Sequence, residues 1–199
     1  MANQMRTISS EFSEAAALFQ SLSNDQVLLG LTDAVSTACV EALRNGKRII
    51  FAGNGGSAAD AQHLAAELVG RFYFKRAALP SMALNTDTSM LTAIGNDYGF
   101  EHIFTRQLEA NGAAGDVFIA LSTSGGSANL NHAISHCKDA GIVSVGLSGK
   151  SGGEMAQLCD YSIIVPSEST PRIQEAHTLI GHAVCAEIER QLFPQQELS

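Results

Sequence analysis

Between Arg48 and Val165 the chain alternates short, nearly continuous apolar runs with longer stretches of helical periodicity. RIIFA (48–52), SMALN (81–85), VFIAL (117–121), IVSVGL (142–147) and YSIIV (161–165) are five such runs. A short apolar run bounded by polar turns is the pattern of a strand buried on both faces. Residues 57–71, 88–94 with 101–110, and 127–140 carry helical spacing between the runs, and a shorter helical piece follows Gly152. Strands and helices in strict alternation predict a parallel sheet covered on both faces, an α/β fold. After Pro171, a residue suited to the first turn of a helix, a long helix is expected to about Leu192.

Two amphipathic helices precede the first strand. SSEFSEAAALFQSL sets Phe12, Ala15, Ala16 and Phe19 on one face, with Ser9 or Ser10 as N-cap. DQVLLGLTDAVSTACVEALRNG follows, with Asn24 or Asp25 as cap and Gly46 as stop. Coming before any strand, both are expected to pack outside the main sheet or against another subunit. No repeat, low-complexity tract or linker divides the chain. One domain over 1–199 is expected, with helices over 1–46 and an α/β core over 47–193, and with a frayed tail, PQQELS.

Composition narrows the classes of function. The 199 residues are 45% hydrophobic and only 16% charged. So little charge on a core-rich chain favours a surface buried in an oligomer. The net charge of −8 opposes broad attraction to nucleic acid or to an anionic membrane, so a phosphorylated ligand would need local donors. Cys39, Cys137, Cys159 and Cys185 lack metal-site or redox spacing and read as buried thiols of a reducing compartment. No signal-peptide core and no run of membrane-span length is evident, which points to the cytoplasm.

Ligands of an open parallel sheet bind beyond the carboxyl ends of its strands. Three polar loops fall there, GNGGS (53–57), NTDTS (85–89) and STSGGS (122–127), and SESTPR (167–172) precedes the last helix. In STSGGS, four hydroxyls and two glycine amides open a helix, a setting that suits a phosphate. With no lysine it is not a P-loop. Gly53-x-Gly55-x-x-Ala58 approaches a dinucleotide loop, but the acidic residue expected about twenty positions later is missing.

Behind that loop Asp60, His63 and Glu67 share one helix face. Imidazole and carboxylate four residues apart can aim at one point, as a zinc ion or a proton-transfer site requires. Gln174, Thr178 and His182 share a face of the last helix, while His177 is rotated about 140° from His182. His102, His132 and His136 have no comparable companions and read as surface or satisfied polar residues.

Taken together, AGNGGSAADAQHLAAEL (52–68), IGNDYGFEHIFTRQ (94–107), STSGGSAN (122–129) and RIQEAHTLIGH (172–182) resemble the phosphoheptose isomerases of the sugar isomerase (SIS) group. The resemblance covers nearly the whole chain. It implies a flavodoxin-like five-stranded parallel sheet in three layers and a homotetramer with active sites at subunit contacts. It implies conversion of the phosphorylated seven-carbon sugar sedoheptulose 7-phosphate to D-glycero-D-manno-heptose 7-phosphate, the first step toward bacterial ADP- or GDP-heptose and surface lipopolysaccharide. Carried over by position, Ser122, Thr123, Ser124 and Ser127 hold the phosphate, and Asn54, Gly55, Gly56, Asn96 and Asp97 line the sugar site. His63, Glu67, Gln174 and His182 hold one Zn2+ per subunit, with Glu67 and Gln174 also facing substrate. Glu67 and His182 are also the candidates for proton transfer, and the sequence leaves open which role each plays. Gly126 departs from the asparagine usual at that position. A non-catalytic SIS protein that binds the replication initiator is the alternative, and retention of Glu67 and His182 weighs against it.

Overall fold

The computed structural model describes residues 7–194. The expected fraying of the tail lies, beyond Pro194, outside the described residues. Five parallel strands form one sheet in the order β2-β1-β3-β4-β5: β1 Ile49–Gly53, β2 Ser81–Ala83, β3 Val117–Leu121, β4 Val143–Gly149 and β5 Tyr161–Val165. This is the flavodoxin-like order, whose chain reversal places a crevice between the carboxyl ends of β1 and β3. The helices are α1 Ile8–Asn24, α2 Gln26–Arg44, α3 Gly56–Val69, α4 Thr88–Asp97, α5 Thr105–Asn111, α6 Ala128–Ala140, α7 Met155–Leu158 and α8 Thr170–Leu192.

Strand alternation sorts the core into two layers. Ile49 and Phe51 of β1, with Val117, Ile119 and Leu121 of β3, face α2, α3 and α8. Ile50 and Ala52, with Phe118 and Ala120, face the opposite layer of α5, α6 and α7, against which Leu91 and Ile94 of α4 also pack. The central strands β1 and β3 are buried at every position and carry no polar side chain, as their composition foretold, while the edge strands β2 and β5 are only partly buried.

β2 ends sooner than its apolar run. Leu84 still donates its amide to the Phe51 carbonyl, but the Asn85 side chain then takes over the ladder. Its Oδ1 accepts from the Gly53 amide at 3.2 Å and its Nδ2 donates to the Gly53 carbonyl at 2.8 Å.

The N-terminal helices differ from one another. α1 packs on α2 and α8 with Leu22 as its buried side chain, while Ile8 and Phe12 stand exposed. Its cap is Thr7 rather than Ser9 or Ser10, in a reciprocal capping box with Ser10. α2 does not pack outside the sheet: Val35, Cys39 and Val40 belong to the core beneath β1, β3 and β5. By length and composition α2 could cross a membrane, with a mean hydropathy of 1.3, contrary to the expectation that no run approaches a span. That apolarity belongs to a helix whose inner face is core.

Truncating Phe118, fully buried in the second layer, should cost about 3–5 kcal/mol in Phe118→Ala. Asp25 caps α2 by accepting from the amides of Val27 and Leu28 at 3.0 Å. Asp25→Ala should cost only about 1 kcal/mol. Urea unfolding of both variants measures the contrast, and equal losses would contradict the assigned core.

Candidate functional site

α3 leaves the carboxyl end of β1 and buries Ser57, Ala61, Leu64, Ala65 and Leu68. That stripe leaves His63 and Glu67 on a flank that faces α8. α8 buries Ile173, Ala176, His177, Ile180, Gly181 and Val184, which turns Gln174, Thr178 and His182 toward α3. The two helices approach closely where Gly181 meets Leu64, since a β-carbon at Gly181 would stand 2.5 Å from the Leu64 side chain.

Along this contact three chemical groups converge. His63 Nε2 lies 2.7 Å from His182 Nε2 and 3.6 Å from Glu67 Oε1. The donor atoms of all three residues lie within 4.8 Å of one another. His63 is exposed, and Glu67 and His182 are half-buried. The Nε2···Nε2 contact is a hydrogen bond in which one imidazole carries the proton and the other offers its lone pair. One turn up, Thr178 donates to Asp60 Oδ1 at 3.0 Å. Higher still, the Gln174 amide abuts Gly56, where a β-carbon would strike it. The position of Gln174 is about 12 Å of helix rise from His182, so it sits at the upper end of this line and not inside the three-residue group.

The STSGGS loop joins β3 to α6. Ser122 Oγ and Ser127 Oγ are 3.1 Å apart, and Ser122 Oγ accepts from the Gly125 amide at 3.2 Å. Ser124 Oγ accepts from the Gly126 amide at 3.2 Å. Gly125 has φ +66° and lies against the Gly152 carbonyl, so only glycine fits there. Ser127 occupies the N-cap of α6, yet its hydroxyl makes no capping bond and pairs instead with Ser122. Asn54 and Asn129 exchange amide hydrogen bonds of 2.9 Å and so tie the β1 loop to the start of α6. The hydroxyls thus stand where β3 meets α6, and the metal-type donor group stands along the α3–α8 contact.

A family described as SIS domain matches residues 12–149. A phosphoheptose isomerase from Aneurinibacillus thermoaerophilus is 59% identical over 175 residues, covering 88% of each chain. A phosphoheptose isomerase 2 from Campylobacter jejuni is 53% identical over 97% of this chain and 96% of its own. The solved structure of a phosphoheptose isomerase from Neisseria gonorrhoeae superposes with a TM-score of 0.86 at 41% identity, over 92% of this chain and 96% of that one. The chain belongs to the phosphoheptose isomerase family of SIS-domain proteins.

Within this phosphoheptose isomerase fold the remaining candidates divide. Asn96 and Asp97 end α4 on the opposite layer from α3 and α8, exposed and joined to each other at 2.7 Å. The NTDTS loop serves the fold: Asn85 extends the ladder and Asp87 caps α4 by accepting from Met90 at 2.9 Å. His102 and His132 do have a companion, each other, with ring centroids 5.5 Å apart. Sequence reading passed over Asn129 and also Arg76, Glu189 and Phe72. Asn129 stood inside a recognised motif, but only tertiary pairing gives it a task. Phe72 stacks near His182, with ring centroids 5.4 Å apart.

His177 turns into the core, with Nε2 3.0 Å from the Ser148 carbonyl oxygen. Burial holds its pKa below the ordinary 6.5, against smaller opposing effects of the Ser148 carbonyl and Asp60. The unfolded chain therefore takes up a proton that the native state refuses, and this share of stability is lost as pH falls from 6.5 through the folded value. His177→Gln should flatten the fall in urea midpoint below pH 6.5. A variant that tracks the wild type would contradict this origin.

Proposed function

We propose that the chain interconverts sedoheptulose 7-phosphate and D-glycero-D-manno-heptose 7-phosphate through an enediol. The convergence of His63, Glu67 and His182 from two helices carries this reading, in a chain of the phosphoheptose isomerase family. A base removes a proton from C1, the C–H electrons form the C1=C2 bond, and the C2 oxygen gains a proton. Return of a proton to C2, with loss of the O1 proton, leaves the aldehyde at C1.

A carboxylate and an imidazole side by side are suited to these transfers, each with an effect on the order of 10²–10⁴-fold. Glu67 is the base nearest the two imidazoles, and His182 is the group able to protonate or steady the sugar oxygens. Two imidazole nitrogens and one carboxylate oxygen also form a donor set that zinc accepts. His63, Glu67 and His182 would hold the ion, and Gln174, beside Gly56 at the upper end of the line, would face the substrate. When bound, zinc supplies Lewis-acid polarisation of the ketose oxygens. An atom that holds the metal does not at the same moment carry a proton, so the two duties fall on different atoms of this group.

At the other end of the crevice, Ser122, Thr123, Ser124 and Ser127, with the first amides of α6, take the phosphate. The N-terminal helix dipole compensates for a chain whose net charge is −8. Asn54, Gly55 and Gly56 line the sugar between these ends, and Asn96 and Asp97 join them across a subunit contact. Exposed Ile8 and Phe12 on α1 support such an assembly, a cytoplasmic homotetramer with one zinc per subunit whose product enters surface-heptose synthesis.

Glu67→Gln and His182→Asn should each lower turnover of sedoheptulose 7-phosphate by at least about 10²-fold. Circular dichroism should show both variants folded. Wild-type turnover in the two variants would overturn the assignment of the site.

A further inference from the structure

Just below the His63, Glu67 and His182 group, the segment that follows α3 is joined to α8 by a buried ion pair that the reaction itself does not use. Arg76 and Glu189 have side chains 0% and 1% exposed, with Arg76 Nε donating to Glu189 Oε1 at 2.6 Å. Each partner spends its remaining capacity on backbone. The Arg76 guanidinium donates to the Glu67 carbonyl at 2.9 Å, the Leu68 carbonyl at 2.8 Å and the Ala77 carbonyl at 3.0 Å. The first two are among the orphan carbonyls that end α3, and the planar arginine fork reaches both while its Nε holds the Glu189 carboxylate. Glu189 in turn accepts from the amides of Phe72 and Tyr73, both at 2.8 Å.

These bonds have a directional consequence. Arg76 holds the backbone of Glu67 itself. Glu189 lies two turns beyond His182 on the same face of α8 and holds the backbone of Phe72, whose ring stands against His182. One buried pair therefore links the carrier of the carboxylate, the carrier of the imidazole and the ring beside that imidazole.

We propose that Arg76 and Glu189 are positioning residues, which hold the end of α3 against α8 so that Glu67 and His182 meet at the spacing the reaction needs. This rests on the isomerase reading of that group. Supports of this kind, which orient a donor without touching substrate, commonly change activity by about 10- to 100-fold when altered.

The test uses full-length Arg76→Lys, Glu189→Gln and Phe72→Leu, the last leaving the ion pair untouched should the first two fold poorly. Asp160→Asn serves as a comparison: Asp160 accepts from the Ser144 amide and hydroxyl, both at 2.8 Å, at the amino end of β4, away from the crevice. Turnover of sedoheptulose 7-phosphate, thermal midpoints and the visible absorption of the cobalt(II)-loaded proteins are read side by side. The expected result is a kcat about 10- to 100-fold lower in Arg76→Lys and Glu189→Gln, with KM within about twofold, because the phosphate loop is built elsewhere. Their cobalt bands, and those of Phe72→Leu, should shift from wild type, while Asp160→Asn keeps both kcat and bands. Unchanged kcat and bands in all three test variants, or losses that follow the thermal midpoint in Asp160→Asn as well, would overturn the proposal alone. A wild-type protein that does not turn over the sugar would overturn the isomerase reading and this proposal together.

Discussion

The side-by-side lie of α3 and α8 is the constraint on which the rest of the site depends. The two helices meet at successive turns, with Gly56 against Gln174, Asp60 against Thr178, His63 against His182, and the residues after α3 against Glu189. The first three contacts advance three or four residues at a time along either helix, which is what two helices running parallel in register require, and the last lies two turns further along α8. Gly181 permits the close approach and the Arg76–Glu189 pair closes the lower end. A buried ion pair is a poor source of net stability, but breaking one side leaves a stranded charge. On the proposal above the pair's worth is geometric, since its spare hydrogen bonds all go to backbone and one of them holds the Glu67 carbonyl.

The sheet supplies the second fixed end. Its order reverses at β1 and β3, and the loops that leave these strands hold Gly55, Gly56 and the hydroxyl-rich STSGGS turn. The Asn54–Asn129 pair fixes their separation. On the proposed reading, a chain with a net charge of −8 would hold an anionic sugar through local amides and hydroxyls at a helix start and not through a diffuse basic surface.

Most of the architecture was legible in the sequence because the central strands, buried on both faces, are apolar throughout. The errors fall where a polar atom does a backbone's work. β2 looked longer than it is because Asn85 continues its ladder by side chain, and β4 looked shorter because Ser148 and Gly149 are buried without being apolar. α2 was read as an outer helix, since nothing local reveals that its apolar face meets the sheet. The His63 and Glu67 spacing was visible, but His182 lies 119 positions away from His63 and joins it only through the register of two helices. Arg76 in RFYFKR and Glu189 in EIER look like ordinary surface charges, and only burial turns them into a clamp.

The central claim is that α3 and α8 together, and neither alone, create the metal-type donor group. Titrating zinc into metal-free wild type and into His63→Ala, Glu67→Ala and His182→Ala tests it directly. The account predicts one tightly held zinc per wild-type chain and loss of tight binding in every variant, His182→Ala included. A His182→Ala protein that holds zinc as firmly as wild type would place the donors on α3 alone and contradict the account.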